Sequence, residues 1–158
     1  MGDSSNLVGK YIDQNNQSRA RLRGLTAELN EKSLNRVAYR GWTVAMTLAH
    51  MAFFDNYRLA QLQRWEQTGF DEVKADTKTI NSALRPLLEC VNGKAAIRCV
   101  VSAANSVDQQ IENLSQALVN EIGKNGRAPV IFDRARHRNE HLDEIDQSLI
   151  RRENIVYE

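Results

Sequence analysis

Val44-Ala45-Met46-Thr47-Leu48-Ala49-His50-Met51-Ala52-Phe53-Phe54 is apolar on nearly every side when wound into a helix. A surface helix shows one apolar stripe and one polar face, so this segment belongs to a helix covered by neighbours all round. Thr47 and His50 interrupt the run, and it falls well short of the roughly 20 residues that a membrane-spanning helix needs. Gly41-Trp42-Thr43 precedes it, with glycine for a turn and threonine as N-cap. The helix is expected over 43–68, its second half (Asp55 to Gln67) polar, ending before Gly69. A histidine buried at position 50 must find a partner, either a hydrogen bond or a metal ion.

Outward from this element the chain reads as helices. A first helix is expected from about Ser5 to Leu29, with Leu7, Tyr11, Ile12, Leu22 and Leu25 inward and a polar middle from Asp13 to Ala20. Thr26 to Gly41 is less regular, with room for a short helix around 31–37. Asp71 to Asp76 is a polar connection. A medium helix follows over 77–90, with Ile80, Leu84, Leu87 and Leu88 inward and a kink or break at Pro86. Asn92-Gly93 reads as a helix stop. Ile97, Val100, Val101, Ala104, Val107, Ile111, Leu114, Leu118 and Ile122 recur at spacings of three and four, which predicts one long helix over 94–122. Gly123 to Gly126 ends it, and a last helix starts at Pro129 or Asp133 and runs to Arg151. Four long helices with short connections predict an all-α four-helix bundle.

The chain has only three histidines: His50, then His137 and His141. Residues four apart lie one above the other on one helix face, so His137 and His141 aim two imidazoles at one spot. They sit on the shoulder of the buried stripe marked by Ile131, Ala135, Leu142, Ile145 and Leu149, facing a cleft at the edge of the core. A third imidazole from His50 would give three protein ligands and an open coordination position, the arrangement of a catalytic metal site. Taken singly, a histidine in an apolar helix is more often a hydrogen-bonded core residue than a ligand. The i, i+4 pair in so histidine-poor a chain favours the shared metal. H-E-x-x-H zinc proteases need glutamate directly after the first histidine; here that residue is Arg138, and the glutamate is Glu140.

The 158 residues suffice for one domain with a core of its own. Hydrophobic residues are 42% and charged residues 26%, ordinary for a soluble protein, and two prolines among the 158 residues favour helices over a turn-rich sandwich. With 21 basic and 20 acidic residues mixed along the length, nothing resembles the basic face of a nucleic-acid binder. Cys90 and Cys99 match no metal or redox spacing and read as free, partly buried thiols. The first ten residues carry neither a signal-peptide pattern nor a full myristoylation motif. The expectation is a cytoplasmic protein with no membrane and no nucleic-acid partner.

Gly41-Trp42-Thr43 followed by Leu48-x-His50-Met51 resembles the opening of helix two in the DinB-like superfamily (DinB/YfiT-like proteins, related to mycothiol- and bacillithiol-dependent transferases). His137-Arg138-Asn139-Glu140-His141 is similar to that family's H-x-x-x-H motif, and Leu142-Asp143-Glu144-Ile145-Asp146 to the run after it. Asp76-x-x-x-Ile80-Asn81 resembles the start of the third segment, with one extra residue. The resemblance covers about residues 5–150 and rests on the combined order and spacing of short motifs. It implies an up-down-down-up four-helix bundle with a long crossover, a divalent metal on His50, His137 and His141, and a homodimer. Pro86 and the Asn92-Gly93 break depart from the pattern, which puts the middle of the bundle and the nearby substrate pocket in doubt.

Three neutral imidazoles leave a metal its full charge, so that a bound water or thiol becomes a nucleophile at neutral pH. By resemblance, the expected function is metal-dependent transferase or hydrolase chemistry on a small-molecule substrate, with a low-molecular-weight thiol as a candidate cosubstrate. Zinc or nickel leads, and iron or manganese follows, although imidazole ligands suit several of these metals alike. No residue receives a catalytic role from the sequence. Arg134, Arg136 and Arg138 are candidates for holding substrate carboxylates, against the plainer reading of a solvated helix face. Asp55, Tyr57 and Glu144 are candidates for orienting an imidazole. The alternative is a non-catalytic, stress-related binding or scaffold bundle with a structural metal. That reading requires a fourth protein ligand, from Cys90, Cys99 or a carboxylate.

Overall fold

The computed structural model describes residues 4–150. The first three residues, within the stretch searched for targeting motifs, and Arg151, the expected end of the last helix, lie outside the described residues. Eight helices and one small hairpin follow in order: α1 (Ser4–Glu28), α2 (Glu31–Leu34), β1 (Val37–Tyr39), β2 (Trp42–Thr43), α3 (Val44–Thr68), α4 (Thr77–Glu89), α5 (Gly93–Glu112), α6 (Gln116–Lys124), α7 (Ala128–Phe132) and α8 (Ala135–Ile150). The described residues are therefore all-α apart from five in strands. No helix among the described residues is long and apolar enough to cross a membrane.

The covered helix is α3. Thr43 caps it by accepting from the Met46 amide at 3.2 Å, and Val44, Ala45, Met46, Thr47, Leu48, His50, Met51 and Ala52 are all buried. α5 packs most extensively against it. Ala96, Ala103 and Ala104 on α5 are small enough for the two backbones to approach closely. α1 and α8 complete the enclosure, α1 touching both α5 and α8.

Several boundaries differ from expectation for local reasons. The irregular stretch after α2 is an antiparallel hairpin whose two central residues, Arg40 (φ 47°) and Gly41 (φ 79°), both take positive φ, as tight hairpin turns require. Glycine does so freely; Arg40 does so at a cost on the order of 1 kcal/mol. α4 is not broken at Pro86, and Leu87 is 67% exposed rather than inward. Asn92-Gly93 starts a helix instead of only stopping one. Asn92 accepts from the amides of Lys94 and Ala95, and a Cβ on Gly93 would meet Leu34 at 2.8 Å. The predicted long helix over 94–122 is two helices, because Ser115 caps α6 by accepting from the Leu118 amide. Cys90 and Cys99 are free, as expected, but exposed rather than partly buried.

The apolar interior is divided. One cluster gathers Leu22, Leu48, Met51, Val100, Leu142 and Ile145; the other gathers Tyr11, Leu62, Trp65, Ile111, Ile131 and Phe132. Between them, in chain position along α1, α3 and the α7–α8 segment, lie buried polar residues. Asn15 and Ser18 come from α1, Asp55 from α3 and Arg138 from α8; Asp108 of α5 and Arg134, just before α8, join them.

Candidate metal centre

α8 begins where Asn15 permits. The Asn15 Oδ1 accepts from the amides of Arg134 and Ala135 at 2.9 and 3.0 Å, satisfying donors that a helix start leaves free, and its Nδ2 donates to the Phe132 carbonyl. Polar residues in the middle of α1 give no hint of this in the sequence, since a remote cap leaves no local spacing signal.

α8 is then fixed in rotation by charge. Asp55 accepts from the Nε atoms of both Arg134 and Arg138 at 2.9 Å, and Asp108 takes Arg138 in a two-pronged pair at 2.8 and 2.9 Å. Arg138 is fully buried, and its remaining contacts go to Ser18 Oγ and the Ala104 carbonyl. Burial alone would lower its pKa, but Asp55 and Asp108 outweigh that and raise it. Two arginines thus balance two aspartates in the buried layer. This corrects two expectations: Arg134 and Arg138 neither face solvent nor remain free for a substrate. Arg136 is exposed and pairs with Glu140.

With α8 set against α3 in this way, His137 and His141 meet His50. The three offer ligand atoms that all lie within 4.8 Å of one another. His137 Nε2 and His50 Nε2 are 3.3 Å apart, close to the nitrogen spacing of about 3.3 Å on a tetrahedral zinc with bonds of 2.0–2.1 Å. The His141 ring stands edge to face with those of His50 and His137, which are tilted to each other, and the centroids are 4.7–5.3 Å apart. Trp42 and Phe54 press their rings on His50, and Phe54 also meets His137.

Burial, with His141 adding to it, pushes the His50 pKa down to about 4. Burial, then the charges of His141 and Arg134, pushes His137 down to about 2. Both rings are therefore neutral at pH 7 and can present lone pairs to a cation. Behind His141, the Glu144 carboxylate accepts from Nδ1 at 2.7 Å, so that Nε2 is the nitrogen left for a cation. The Nδ1 atoms of His50 and His137 are buried without a partner among the described residues. The donor set thus fits a divalent cation, and only His141 has the carboxylate support common to metal-bound histidines.

The chain matches no family model, no curated protein and no solved structure.

Of the three candidates for orienting an imidazole, Glu144 does so. Asp55 holds the two arginines instead, and Tyr57 stacks on Phe53. Neither cysteine joins the histidine group. His50, His141 and Glu144 line a pocket of about 380 Å³, together with Thr47, Trp42, Tyr39 and Asn81. That volume lies within the range of small-molecule sites, about 300–1,000 Å³. Arg58, two turns along α3 from His50, is buried enough for its pKa to fall to about 10, with Arg134 adding to the effect. Its Nε and Nη1 find no partner among the described residues.

Proposed function

We propose that this chain is a metal-dependent enzyme of the DinB-like type, in which α1, α3, α5 and α8 form an up-down-down-up bundle. His50, His137 and His141 hold a divalent metal, zinc or nickel first, with iron or manganese next, and the working form is a homodimer. The observation that carries this reading is the convergence of the only three histidines in the chain, His50 of α3 meeting His137 of α8 across 87 positions of sequence. Three protein ligands leave room for an exogenous one. The cation, when bound, supplies a nucleophile at neutral pH from a water or a thiol.

The chain's own groups do the rest. Glu144 holds the His141 ring in one tautomer, Trp42 and Phe54 keep water from the flanks of His50, and the 380 Å³ pocket admits a small molecule beside His50 and His141. Transferase or hydrolase chemistry follows from this arrangement, with a low-molecular-weight thiol as the candidate cosubstrate. A structural metal in a non-catalytic bundle is the weaker reading. No cysteine, aspartate or glutamate joins the three histidines as a fourth ligand among the described residues.

The test is elemental analysis of the purified chain beside a His137→Ala, His141→Ala double variant, with melting temperatures recorded with and without chelator. Near-stoichiometric metal in the parent and none in the variant, at little cost in melting temperature, is the expected result. A panel of thiol-transfer and hydrolytic substrates on the zinc- and nickel-loaded protein then reads the chemistry. Failure to take up zinc, nickel or manganese on reconstitution overturns the reading.

A further inference from the structure

α4 and the hairpin turn contribute Asn81, Arg85 and Arg40 to the lining of the pocket that also holds His50 and His141. Asn81, early in α4, lines the pocket with its Oδ1 buried and without a hydrogen-bond partner among the described residues. An acceptor in that state is complete only when a donor arrives from outside. Arg85 lies one helical turn further on the same face and also lines the pocket. Among the described residues only its Nε is engaged, by Glu89 at 3.2 Å, while Nη2 lies 3.4 Å from where a Cβ on Gly41 would sit. The α4 guanidinium therefore reaches the hairpin turn.

In that turn Arg40 is the second guanidinium of the pocket lining, its Nε donating to the Tyr39 hydroxyl. A guanidinium has five N–H donors. Among the described residues nothing takes the Nη donors of either arginine, which are left for a planar, bidentate acceptor. The charged groups of the lining are Arg40, Arg85 and Glu144, and the last is turned to His141. The balance of two positive charges and one negative suits a single carboxylate better than a dianionic phosphate.

We propose that Arg40 and Arg85 bind the carboxylate of the substrate, that Asn81 Oδ1 accepts from an N–H or O–H on its chain, and that its reacting end lies at His50 and His141. The substrate class is a small carboxylic acid bearing a hydrogen-bond donor. This inference rests on the metal reading above, and its test separates the two.

The zinc-loaded chain is titrated calorimetrically with acetohydroxamate, a ligand for an open metal position, and with the monohydroxamic acids of succinic, glutaric and adipic acid. Binding of acetohydroxamate reports the metal. At least one carboxylated member binds about tenfold tighter than acetohydroxamate, an advantage on the scale of a charge-assisted pair. That advantage vanishes in an Arg40→Asn, Arg85→Gln variant, while acetohydroxamate binding stays unchanged. Asparagine at position 40 tolerates the left-handed backbone, so the turn survives. A 3-hydroxy group on the glutaric compound tightens binding in the parent and not in Asn81→Leu.

Equal affinity for acetohydroxamate and every carboxylated member in the parent overturns the proposal and leaves the metal site standing. A hydroxyl without effect removes Asn81 from it. A chain that takes up no zinc overturns both readings at once, and metal content distinguishes that failure from the others.

Discussion

Two groups of polar side chains sit side by side on α3 and α8, and they differ in whether their bonds are complete. In the layer of Asp55, Arg134, Arg138 and Asp108, each charge is paired inside the protein, down to the Ser18 hydroxyl and the Ala104 carbonyl on Arg138. In the histidine group, two Nε2 atoms face each other and two Nδ1 atoms have no partner among the described residues. A completed buried network fixes position and offers nothing to a ligand. An incomplete one keeps its bonding capacity for something that arrives later. The difference separates the machinery that aligns two helices from the site that alignment creates, although both are made of adjacent residues such as His137 and Arg138.

The contrast breaks most visibly at Asp55. Asp55→Ala leaves buried Arg134 without its carboxylate and Arg138 with Asp108 alone, and is expected to cost about 3–5 kcal/mol in urea unfolding. Metal uptake should fall with it, because the register of α3 on α8 goes too. Uptake at parental affinity in a destabilised Asp55→Ala chain would show that the histidines meet without the layer.

Next in size is Glu144→Gln, which leaves the fold intact and weakens metal binding by about 10- to 100-fold, read by competition with a chromophoric chelator. An unchanged affinity would reduce the His141 contact to a surface pair. His137→Ala sharpens the comparison from the other side. It removes metal, yet lowers the stability of the metal-free protein by less than about 1 kcal/mol, because removing a buried Nδ1 that has no partner among the described residues offsets much of the lost packing.

The smallest effect belongs to the Glu72–Arg127 pair, away from both groups. The hydrogen bond from Arg127 holds the Glu72 carboxyl below its usual 4.5. Its contribution is therefore complete above that pH and is lost as pH falls through the folded value. Glu72→Gln should remove less than about 1 kcal/mol of the stability lost on acidification from about pH 5 to 3, measured by chemical unfolding at several pH values.

The histidine group was legible because its signal is local: an i, i+4 pair and one histidine in an apolar helix need no knowledge of the rest of the chain. α3 was legible almost to the residue for the same reason, with a threonine cap before it and a glycine after it. The aligning layer was not. Asp55, Arg134 and Arg138 look like surface charges one by one, and only the packing of α1, α3, α5 and α8 turns them into a buried set. Asn15 was hidden in the polar middle of α1, since a cap delivered across 119 positions of sequence leaves no pattern to read. The hairpin was missed because Arg40 takes a turn position where asparagine or glycine would have announced itself.

The paired layer has a consequence for how the chain finds its fold. Sliding α8 by one turn along α3, about 5.4 Å, would carry Arg138 off Asp55 and into the place of Leu142 in the aliphatic cluster of Leu48 and Met51. An apolar stripe alone would barely register such a slip, since one leucine replaces another. A stranded guanidinium would register it at several kcal/mol. The ion pairs therefore act as an index mark during collapse, admitting the one register in which His50, His137 and His141 come face to face.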